Sequence, residues 1–445
     1  MVKHNPFSPN SPVTPEKFAG RSREVHMLRR ALQQTVRASP HHVLIGGERG
    51  MGKSSLALAA SSAAARFEQN LGGDEERVVP VIVTCGGVSS VTEFVETTTA
   101  AIFDQAPVGR AAVERALAQF LASLGVRVGP IAADLSALIP QFTLAFPRVL
   151  RRVWTADLAD KFGALQLVID ETDDLSRVSS FPGFLKSTLE ELAREGDTNI
   201  QFVVTATTAG LATLVASHAA FPRSFDVLRL LPLSTEGEGT SELEQVVRLA
   251  LPASHGYSKG FIRSLGIYSG GIPSFVQQMC FDAFEADDDD QLAVGDLQKA
   301  IRGTRVRRGA FEMLWDKHFA QPFGGYPSDG EVQKMLYAAV SLPDGATRSA
   351  LLERGSQLFE SMPAAELERA IAIASERRLV TVRALHGGDR VFISDPRLRI
   401  LLRYFPDVDP EKHFRLSETE RELALFDERF DLALQGHILD EPDRA

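Results

Sequence analysis

Residues 47–54 constrain this chain more than any other stretch, because they have the spacing G-x-x-x-x-G-K-S. An apolar run at 42–45 precedes them, and strong helix formers at 55–60 follow. Such a loop joins a buried strand to a helix N-terminus, where free N–H groups and the helix dipole favour a phosphate. The sequence therefore predicts a nucleotide site. Its predicted binding residues are Gly47, Glu48, Arg49, Gly50, Met51, Gly52, Lys53, Ser54 and Ser55.

A second motif adds acidic groups to this site. Residues 165–171, L-Q-L-V-I-D-E, read as an apolar strand that ends in Asp170 and Glu171. Lys53 is expected to reach the β- and γ-phosphates, while the Ser54 hydroxyl and Asp170 hold Mg²⁺. Glu171 is expected to polarise the attacking water as a general base. We therefore predict ATP and Mg²⁺ as cofactors and an ATPase reaction that yields ADP and phosphate. A GTPase is disfavoured because the sequence has no N-K-x-D motif.

The composition limits the compartment and the partners. The chain has 445 residues, a mean hydropathy of −0.05 and a formal net charge of −10, which together indicate a soluble protein of about two to three domains. No apolar run approaches the roughly 18 residues that span a bilayer, and no signal-like segment opens the chain. Two cysteines, Cys85 and Cys280, suit a reducing compartment. We expect a cytoplasmic protein without a membrane partner.

Two further segments carry a resemblance to a known family. Residues 18–24, F-A-G-R-S-R-E, resemble the N-terminal box of AAA+ and STAND-type ATPases, especially the Orc1/Cdc6-like group. Residues 268–275, Y-S-G-G-I-P-S-F, resemble the G-x-P motif in the helical lid of STAND ATPases, and they lack the sensor 2 arginine of Orc-like proteins. The resemblance implies that Gly20 and Arg21 contact the adenine side of the nucleotide and that Pro273 packs on its base side.

The same resemblance assigns roles to three residues downstream. Residues 200–207 read as a strand that ends in Thr205 and Thr207. In the family the end of this strand carries the sensor 1 residue, which touches the γ-phosphate or its water. The sequence does not decide between the two threonines. Arg223 stands where these proteins carry the arginine finger, which reaches the γ-phosphate of a neighbouring subunit. An arginine in a surface turn would explain Arg223 equally well.

The predicted fold is α/β, with a parallel five-stranded ASCE P-loop core, a helical lid and a C-terminal winged-helix-like domain. Four prolines make the N-terminal arm extended rather than helical. The spacing of the strands indicates an insertion within the core. This insertion either adds to the core or forms a contact surface for neighbouring subunits or DNA. The predicted boundaries are 1–15 for the arm, 16–232 for the core with its insertion at about 104–160, 233–310 for the lid, 326–405 for the winged-helix-like domain and 406–445 for an acidic amphipathic tail.

The C-terminal domain is predicted from its element order. Helical patterns at 331–341, 347–354 and 364–377 precede two β-runs at 378–383 and 390–393. Eleven basic residues against nine acidic ones in 331–405 allow DNA contact, for which Arg383 and Arg390 are the best candidates. The third helix, however, is rich in alanine and glutamate, which favours protein contact. The tail from 406 carries twelve acidic residues against five basic ones.

These observations leave two hypotheses for what the nucleotide site controls. In the first, the chain is a molecular switch whose ATP-bound state forms a homo-oligomer and recruits a protein effector, as STAND proteins in signalling or anti-phage defence do. In the second, it is a DNA-associated ATPase, like Orc1/Cdc6-like initiators, loaders or transposition ATPases. The acidic tail favours the first hypothesis, and the arginines at 383 and 390 favour the second.

Overall fold

The computed structural model describes residues 4–66, 78–106, 115, 118, 143–196, 199–217, 221–235, 240–302, 330–343, 345–359, 362–377, 379–385 and 388–404. The chain divides into two compact units, Asn10–Leu233 and a second unit that joins Met1–Pro9 to Ser234–Ala445. None of the helices in the described ranges is long and apolar enough to cross a membrane. The predicted tail at 406–445 lies outside the described residues.

A five-stranded parallel sheet forms the centre of the first unit, as the sequence predicts. The strands are β1 His42–Gly46, β2 Val78–Thr84, β3 Ala164–Asp170, β4 Ile200–Ala206 and β5 Phe225–Arg229, in the spatial order β2-β3-β4-β1-β5. One strand, β4, separates β1 from β3. Because parallel strands place their carboxyl ends at one edge, the loop after β1 and the acids after β3 share that edge.

Helices and short helical turns cover this sheet. They are a 3₁₀ turn at Pro15–Lys17, α1 Ser22–Val36, α2 Lys53–Arg66, α3 Val91–Gln105, α4 Phe146–Val153 with a π turn at Trp154–Leu158, a 3₁₀ turn at Leu175–Arg177, α5 Phe181–Arg194, α6 Thr208–Ser217 and a 3₁₀ turn at Phe221–Ser224. Every residue of β4 is buried, which explains its continuous apolar run. On one face, Phe94 packs edge-on against Phe181 at 5.2 Å between ring centroids.

The described part of the predicted insertion belongs to this core. Phe146, Leu150 and Trp154 are buried in the same apolar cluster as Leu167 of β3 and Phe202 of β4. An amphipathic helix such as α4 stabilises the sheet by covering its apolar face. Most of the insertion between α3 and α4 lies outside the described residues. Its function as a contact surface therefore stays a prediction.

The second unit contains a helical part and a small antiparallel sheet. Its elements are α7 Glu242–Ala250, β6 Gly256–Tyr257, α8 Lys259–Ser269, α9 Pro273–Ala286, β7 Gln291–Leu292, α10 Val294–Arg302, α11 Gly330–Val340, β8 Ala346–Thr347, α12 Arg348–Leu358, α13 Ala364–Glu376, β9 Val380–Leu385, β10 Gly388–Ile393 and α14 Pro396–Tyr404. The side chains of Ser241, Ser258 and Thr347 cap α7, α8 and α12 by accepting a backbone N–H.

Five of the six elements that precede α14 follow the order predicted for a winged helix. Three helices, α11 to α13, precede the hairpin β9–β10, and the sheet order is β8-β10-β9. The short strand β8 is an addition that the sequence pattern did not predict. It pairs antiparallel with β10 through Ala346 and Val391. A strand of two residues is too short to show an alternation of apolar and polar residues, so the sequence does not predict β8.

The extended N-terminal arm is held by α9 within this unit. The Asn5 side-chain amide donates to the carbonyl oxygen of Phe281 at 2.9 Å. Phe7 is buried, and its ring meets that of Phe284 edge-on with centroids 6.4 Å apart. A buried aromatic pair of this kind fixes a segment that has no helical structure of its own. The arm is extended, as its prolines predict, and residues 4–9 pack on the second unit.

Candidate functional site

The loop after β1 has the backbone geometry that an anion cradle needs. Gly50 and Gly52 have φ values of 82° and 81°, which L side chains rarely adopt. Gly47 lies close to the chain after β5, because a Cβ built on it would come 3.1 Å from Leu230. The loop ends at Lys53, the first residue of α2. The first N–H groups of that helix have no intrahelical partner, which makes this terminus suited to a phosphate.

Lys53 lies over this loop and faces acidic groups. Its ammonium donates to the carbonyl oxygens of Gly47 at 2.8 Å and Glu48 at 3.1 Å. Burial lowers the pKa of Lys53, and the negative charges of Asp173 and Asp170 are the largest effects that oppose this shift. The lysine of the loop and the carboxylates after β3 therefore act on one another within a single site.

Thr205 holds the two acidic residues at the end of β3 in register. Its hydroxyl donates to Oδ1 of Asp170 and accepts the backbone N–H of Glu171 at 3.2 Å. The side chain of Thr205 is fully buried. A buried hydroxyl with both donor and acceptor positions filled has one orientation, so it fixes the Asp170 carboxylate. The structure gives Thr205 a positioning role; its contact with a γ-phosphate stays a prediction.

Glu171 occupies an unusual backbone conformation against the end of β2. Its φ is 58°, in the left-handed region that disfavours residues with a side chain. A Cβ built on Gly86 would lie only 2.6 Å from Oε2 of Glu171. The absence of a side chain at Gly86 therefore makes room for the Glu171 carboxylate. Non-glycine residues in strained conformations cluster at functional sites, which agrees with the predicted role of Glu171.

Asp173 was not predicted to be a site residue, but its carboxylate lies close enough to Lys53 to affect the pKa of that lysine. Oδ1 of Asp173 accepts the backbone N–H of Thr207 at 2.9 Å and also the Thr207 hydroxyl. The Thr207 oxygen in turn accepts the N–H of Gly210 at 3.1 Å, at the start of α6. Thr207 thus orients Asp173 and begins a helix. The only sequence signal was the acidic run that follows Glu171.

Arg21 connects the N-terminal box to the phosphate loop. Its guanidinium donates to the carbonyl oxygens of Met51 at 3.1 Å and Leu231 at 2.6 Å, and the residue is 3% exposed. Gly20 and Arg21 both have positive φ, at 73° and 54°. The structure therefore shows Arg21 fixing the loop through its backbone. The predicted contact of Gly20 or Arg21 with adenine stays a prediction.

The remaining predicted residues occupy separate positions. Ser55 uses its hydroxyl oxygen to accept the N–H of Val13 at 3.1 Å, so it anchors the arm to α2. Ser54 is in the first turn of α2, and its contact with a metal stays a prediction. Arg223 is exposed on the 3₁₀ turn before β5, and in the described ranges no ion pair holds it. Pro273 is the first residue of α9 in the second unit.

Comparison with known proteins identifies the first unit. The family model described as AAA ATPase domain matches residues 17–204, which include the loop at Lys53 and the acids at Asp170 and Glu171. Residues 17–204 thus resemble an AAA ATPase domain. This match supports the resemblance to AAA+ proteins that the sequence motifs carry, a family that binds nucleotide.

Relatives and solved structures agree with this assignment. Over 264 residues, 54% of this chain and 69% of the relative, the sequence is 25% identical to the Holliday junction branch migration complex subunit RuvB of Corynebacterium aurimucosum. The Walker-type ATPase of Pyrococcus abyssi superposes with a TM-score of 0.54 at 14% identity, covering 89% of this chain and 99% of that one. The Aeropyrum pernix ORC2 protein gives a TM-score of 0.50 at 13% identity, covering 97% and 98%. The fold is thus that of Orc-like AAA+ ATPases.

Proposed function

We propose that this AAA ATPase domain binds Mg²⁺–ATP and hydrolyses it to ADP and phosphate. The observation that carries the proposal is the Glu171 carboxylate, which lies against Gly86 beside Asp170 at the same sheet edge as Lys53. The residues fit the nucleotide, because positive-φ glycines form the cradle and a lysine faces two carboxylates across it. When bound, Mg²⁺–ATP supplies the γ-phosphoryl group and a metal that neutralises its charge.

In this proposal, different residues of the chain bind the phosphates, hold the metal and accept the proton. The loop N–H groups and the Lys53 ammonium bind and orient the phosphates. Ser54 and Asp170 would hold the metal, and the Thr205 hydroxyl fixes the orientation of the Asp170 carboxylate. Glu171 accepts a proton from the attacking water, since a carboxylate within reach of a water acts as general base. These residues come from three separate parts of the chain, and the parallel sheet brings them together.

Single-turnover hydrolysis of ATP tests this assignment. We expect Glu171→Gln to bind ATP as tightly as the wild type and to hydrolyse it roughly 10²-fold more slowly, the usual range for loss of a general base. Glu96→Gln is the matched control, because Glu96 is exposed on α3 and makes the same change of charge. Equal hydrolysis rates for Glu171→Gln and the wild type would exclude Glu171 as the base.

We further propose that ATP drives self-association and that Arg223 completes the site of a neighbouring copy. Its exposure on the turn before β5 supports this, because an arginine that serves another subunit must reach beyond its own. A mixing experiment tests it. We expect Lys53→Ala and Arg223→Ala each to be inactive alone. Their mixture should regain activity, because the Lys53→Ala copy supplies Arg223 to the intact phosphate loop of the Arg223→Ala copy. A mixture no more active than its parts contradicts the proposal.

The nucleotide state is proposed to control a partner as well. ATP-dependent assembly would present a new surface to a protein effector, the logic of a γ-phosphate switch in signalling or anti-phage defence. The resemblance of residues 268–275 to the G-x-P motif of STAND ATPases supports this reading. Effector capture by Glu171→Gln loaded with ATP, compared with the same protein loaded with ADP, tests it. Equal capture in both states would contradict a switch.

DNA association is the second candidate function. The relative RuvB is described as part of a Holliday junction complex, and Arg383 pairs directly across the hairpin from Arg390. Against this candidate, the Arg383 guanidinium stacks on the Phe392 ring at 4.9 Å, and Arg390 donates to the carbonyl of Gly345 at 3.1 Å. Both side chains therefore have partners within the domain. These contacts leave self-association and protein recruitment as the better-supported function.

A titration of duplex DNA across salt concentrations separates the two candidates. If the hairpin binds DNA, affinity falls steeply with salt, and the double variant Arg383→Ala with Arg390→Ala flattens that slope by about two. Arg263→Ala with Arg248→Ala is the matched control, since both control arginines lie on lid helices outside the hairpin. If the two double variants have the same salt slope, Arg383 and Arg390 do not contact DNA.

A further inference from the structure

Three potential metal ligands converge in the second unit, in helical connections that the ATPase reaction does not use. They are His255, just before β6, and Asp287 and Asp290, between α9 and β7. Their ligand atoms all lie within 4.8 Å of one another. Nε2 of His255 is 2.9 Å from Oδ1 of Asp290 and 3.7 Å from Oδ2 of Asp287. An imidazole and two carboxylates therefore face a common point.

The histidine in this cluster is buried and makes no hydrogen bond through Nε2. Its side chain is 6% exposed, and Nε2 has no partner of acceptable geometry although Asp290 is close. The ring lies against that of Phe284, with centroids 4.7 Å apart, which fixes its plane. A buried polar atom without a hydrogen bond costs free energy, so a ligand at this atom would explain its position.

Contacts behind two of the three groups, His255 and Asp287, resemble the outer support of a metal site. The other ring nitrogen of His255, Nδ1, is 3.3 Å from the hydroxyl of Ser254, which can set the tautomer that leaves Nε2 as an acceptor. Oδ1 of Asp287 accepts the N–H of Gln291 at 3.2 Å, so its other oxygen is turned toward the histidine. Metal ligands are oriented in this way by hydrogen bonds on their far side.

We propose that His255, Asp287 and Asp290 bind a first-row divalent transition metal ion, with Zn²⁺ as the best fit. Imidazole with carboxylate suits Zn²⁺ better than Mg²⁺ or Ca²⁺, which prefer oxygen ligands. Ligands about 2.1 Å from a tetrahedral ion are about 3.4 Å apart. The observed separations of 2.9 and 3.7 Å bracket that value. Asp290, whose side chain is 59% exposed, provides the entry path.

Such an ion would join two loops that the backbone already pairs. The N–H of Gly256 donates to the carbonyl of Asp290 at 2.9 Å, and β6 runs parallel to β7 beside this contact. Strands of two residues form a weak pairing by themselves. A metal that cross-links Asp290 to His255 would hold them together, and it would stabilise the second unit without touching the nucleotide site.

Calorimetric titration of the full chain with Zn²⁺, in buffer free of nucleotide and Mg²⁺, tests the proposal. We expect one site in the wild type and a rise in its unfolding temperature on loading. Asp290→Asn should weaken that site at least about tenfold, because it removes a ligand and not merely an outer contact. The exposed position of Asp290 makes loss of folding a poor explanation for such a result. Asp288→Asn is the control, since it makes the same change in the same acidic run outside the cluster.

Each outcome decides the question. Zn²⁺ binding that survives in Asp288→Asn and is lost in both Asp290→Asn and His255→Gln supports the site. Zn²⁺ binding that is equal in Asp290→Asn and Asp288→Asn overturns it, since the ion then binds elsewhere. Absence of binding to the wild type also overturns it and leaves His255 as an ion-pair partner of the two aspartates.

Discussion

The carboxylate of Glu171 and the backbone of Gly86 are in such close contact that a methyl group at residue 86 would come 2.6 Å from Oε2. These residues follow neighbouring strands, β3 and β2, whose last residues pair in register as Asp170 and Thr84. The sheet therefore determines where the Glu171 carboxylate lies. Its position depends on a glycine that carries no chemistry of its own.

Substitution of Gly86 by alanine is expected to impair hydrolysis without weakening ATP binding. The added methyl displaces the Glu171 carboxylate, and a displacement of about 1 Å can cost roughly 10²-fold in rate. The phosphate loop is on β1 and is not touched, so the Kd for ATP should not change. Single-turnover kinetics and an ATP titration measure the two effects. Gly295→Ala is the control, because nothing lies within 4 Å of the added carbon. Normal hydrolysis by Gly86→Ala would show that Glu171 does not need this contact.

Substitution of Thr205 by valine keeps the shape of the side chain but removes its hydroxyl. Asp170 then loses a donor and the Glu171 N–H loses an acceptor, both at partly buried contacts. We expect the free energy of unfolding to fall by about 1–3 kcal/mol and hydrolysis to slow. Urea denaturation and the hydrolysis rate check this. Thr205→Ser restores the hydroxyl and should recover hydrolysis. A serine variant as slow as the valine variant would contradict a role for the hydrogen bonds.

Substitution of Arg21 by methionine removes a buried link between distant parts of the chain. The carbonyl oxygens of Met51 and Leu231 lose their charged donor, and such hydrogen bonds contribute about 1.5–3 kcal/mol each. We expect lower stability and weaker ATP binding, because Met51 lies in the phosphate loop. Arg23→Met, at an exposed position in the first turn of α1 just after Arg21, should change neither. If Arg21→Met leaves ATP affinity intact, the link does not shape the loop.

His42 is expected to make stability depend on pH in the acid range. Burial, and then the charge of His41, lower the pKa of His42 from 6.5 to about 4. The folded chain keeps the ring neutral while the unfolded chain protonates it, so its stabilisation is complete above pH 6.5 and is lost as pH falls toward 4. We expect a loss on the order of 3 kcal/mol. His42→Asn should flatten the profile, whereas the exposed His26→Asn should not. Parallel profiles for all three proteins would contradict the assignment.

The parts that sequence alone predicted were those with a local pattern. The loop at Lys53 and the strand that ends in Asp170 and Glu171 are continuous segments, and their flanks show the expected strand and helix. The five-stranded sheet follows from similar runs. The hairpin β9–β10 was predicted from its two β-runs and turn in the same way.

The contacts between distant segments could not be predicted in this way. Arg21 reaches carbonyl oxygens 30 and 210 residues away along the chain. The pairing of Thr207 with Asp173 depends on the register of β3 against β4, which no short pattern records. The same holds for His255, which meets Asp287 and Asp290 only after the helical part has folded. Side-chain roles that depend on contacts between residues distant in sequence can be identified only in the folded structure.

We propose that the protein is an ATP-gated switch whose assembly depends on an uncleaved nucleotide. The decisive measurement is the mass of the purified chain in solution, for the wild type and Glu171→Gln, with ATP, with ADP and with no nucleotide. We expect ATP alone to produce an oligomer, short-lived in the wild type and persistent in Glu171→Gln. A monomer in every state, or an oligomer that ignores the nucleotide, would contradict the claim.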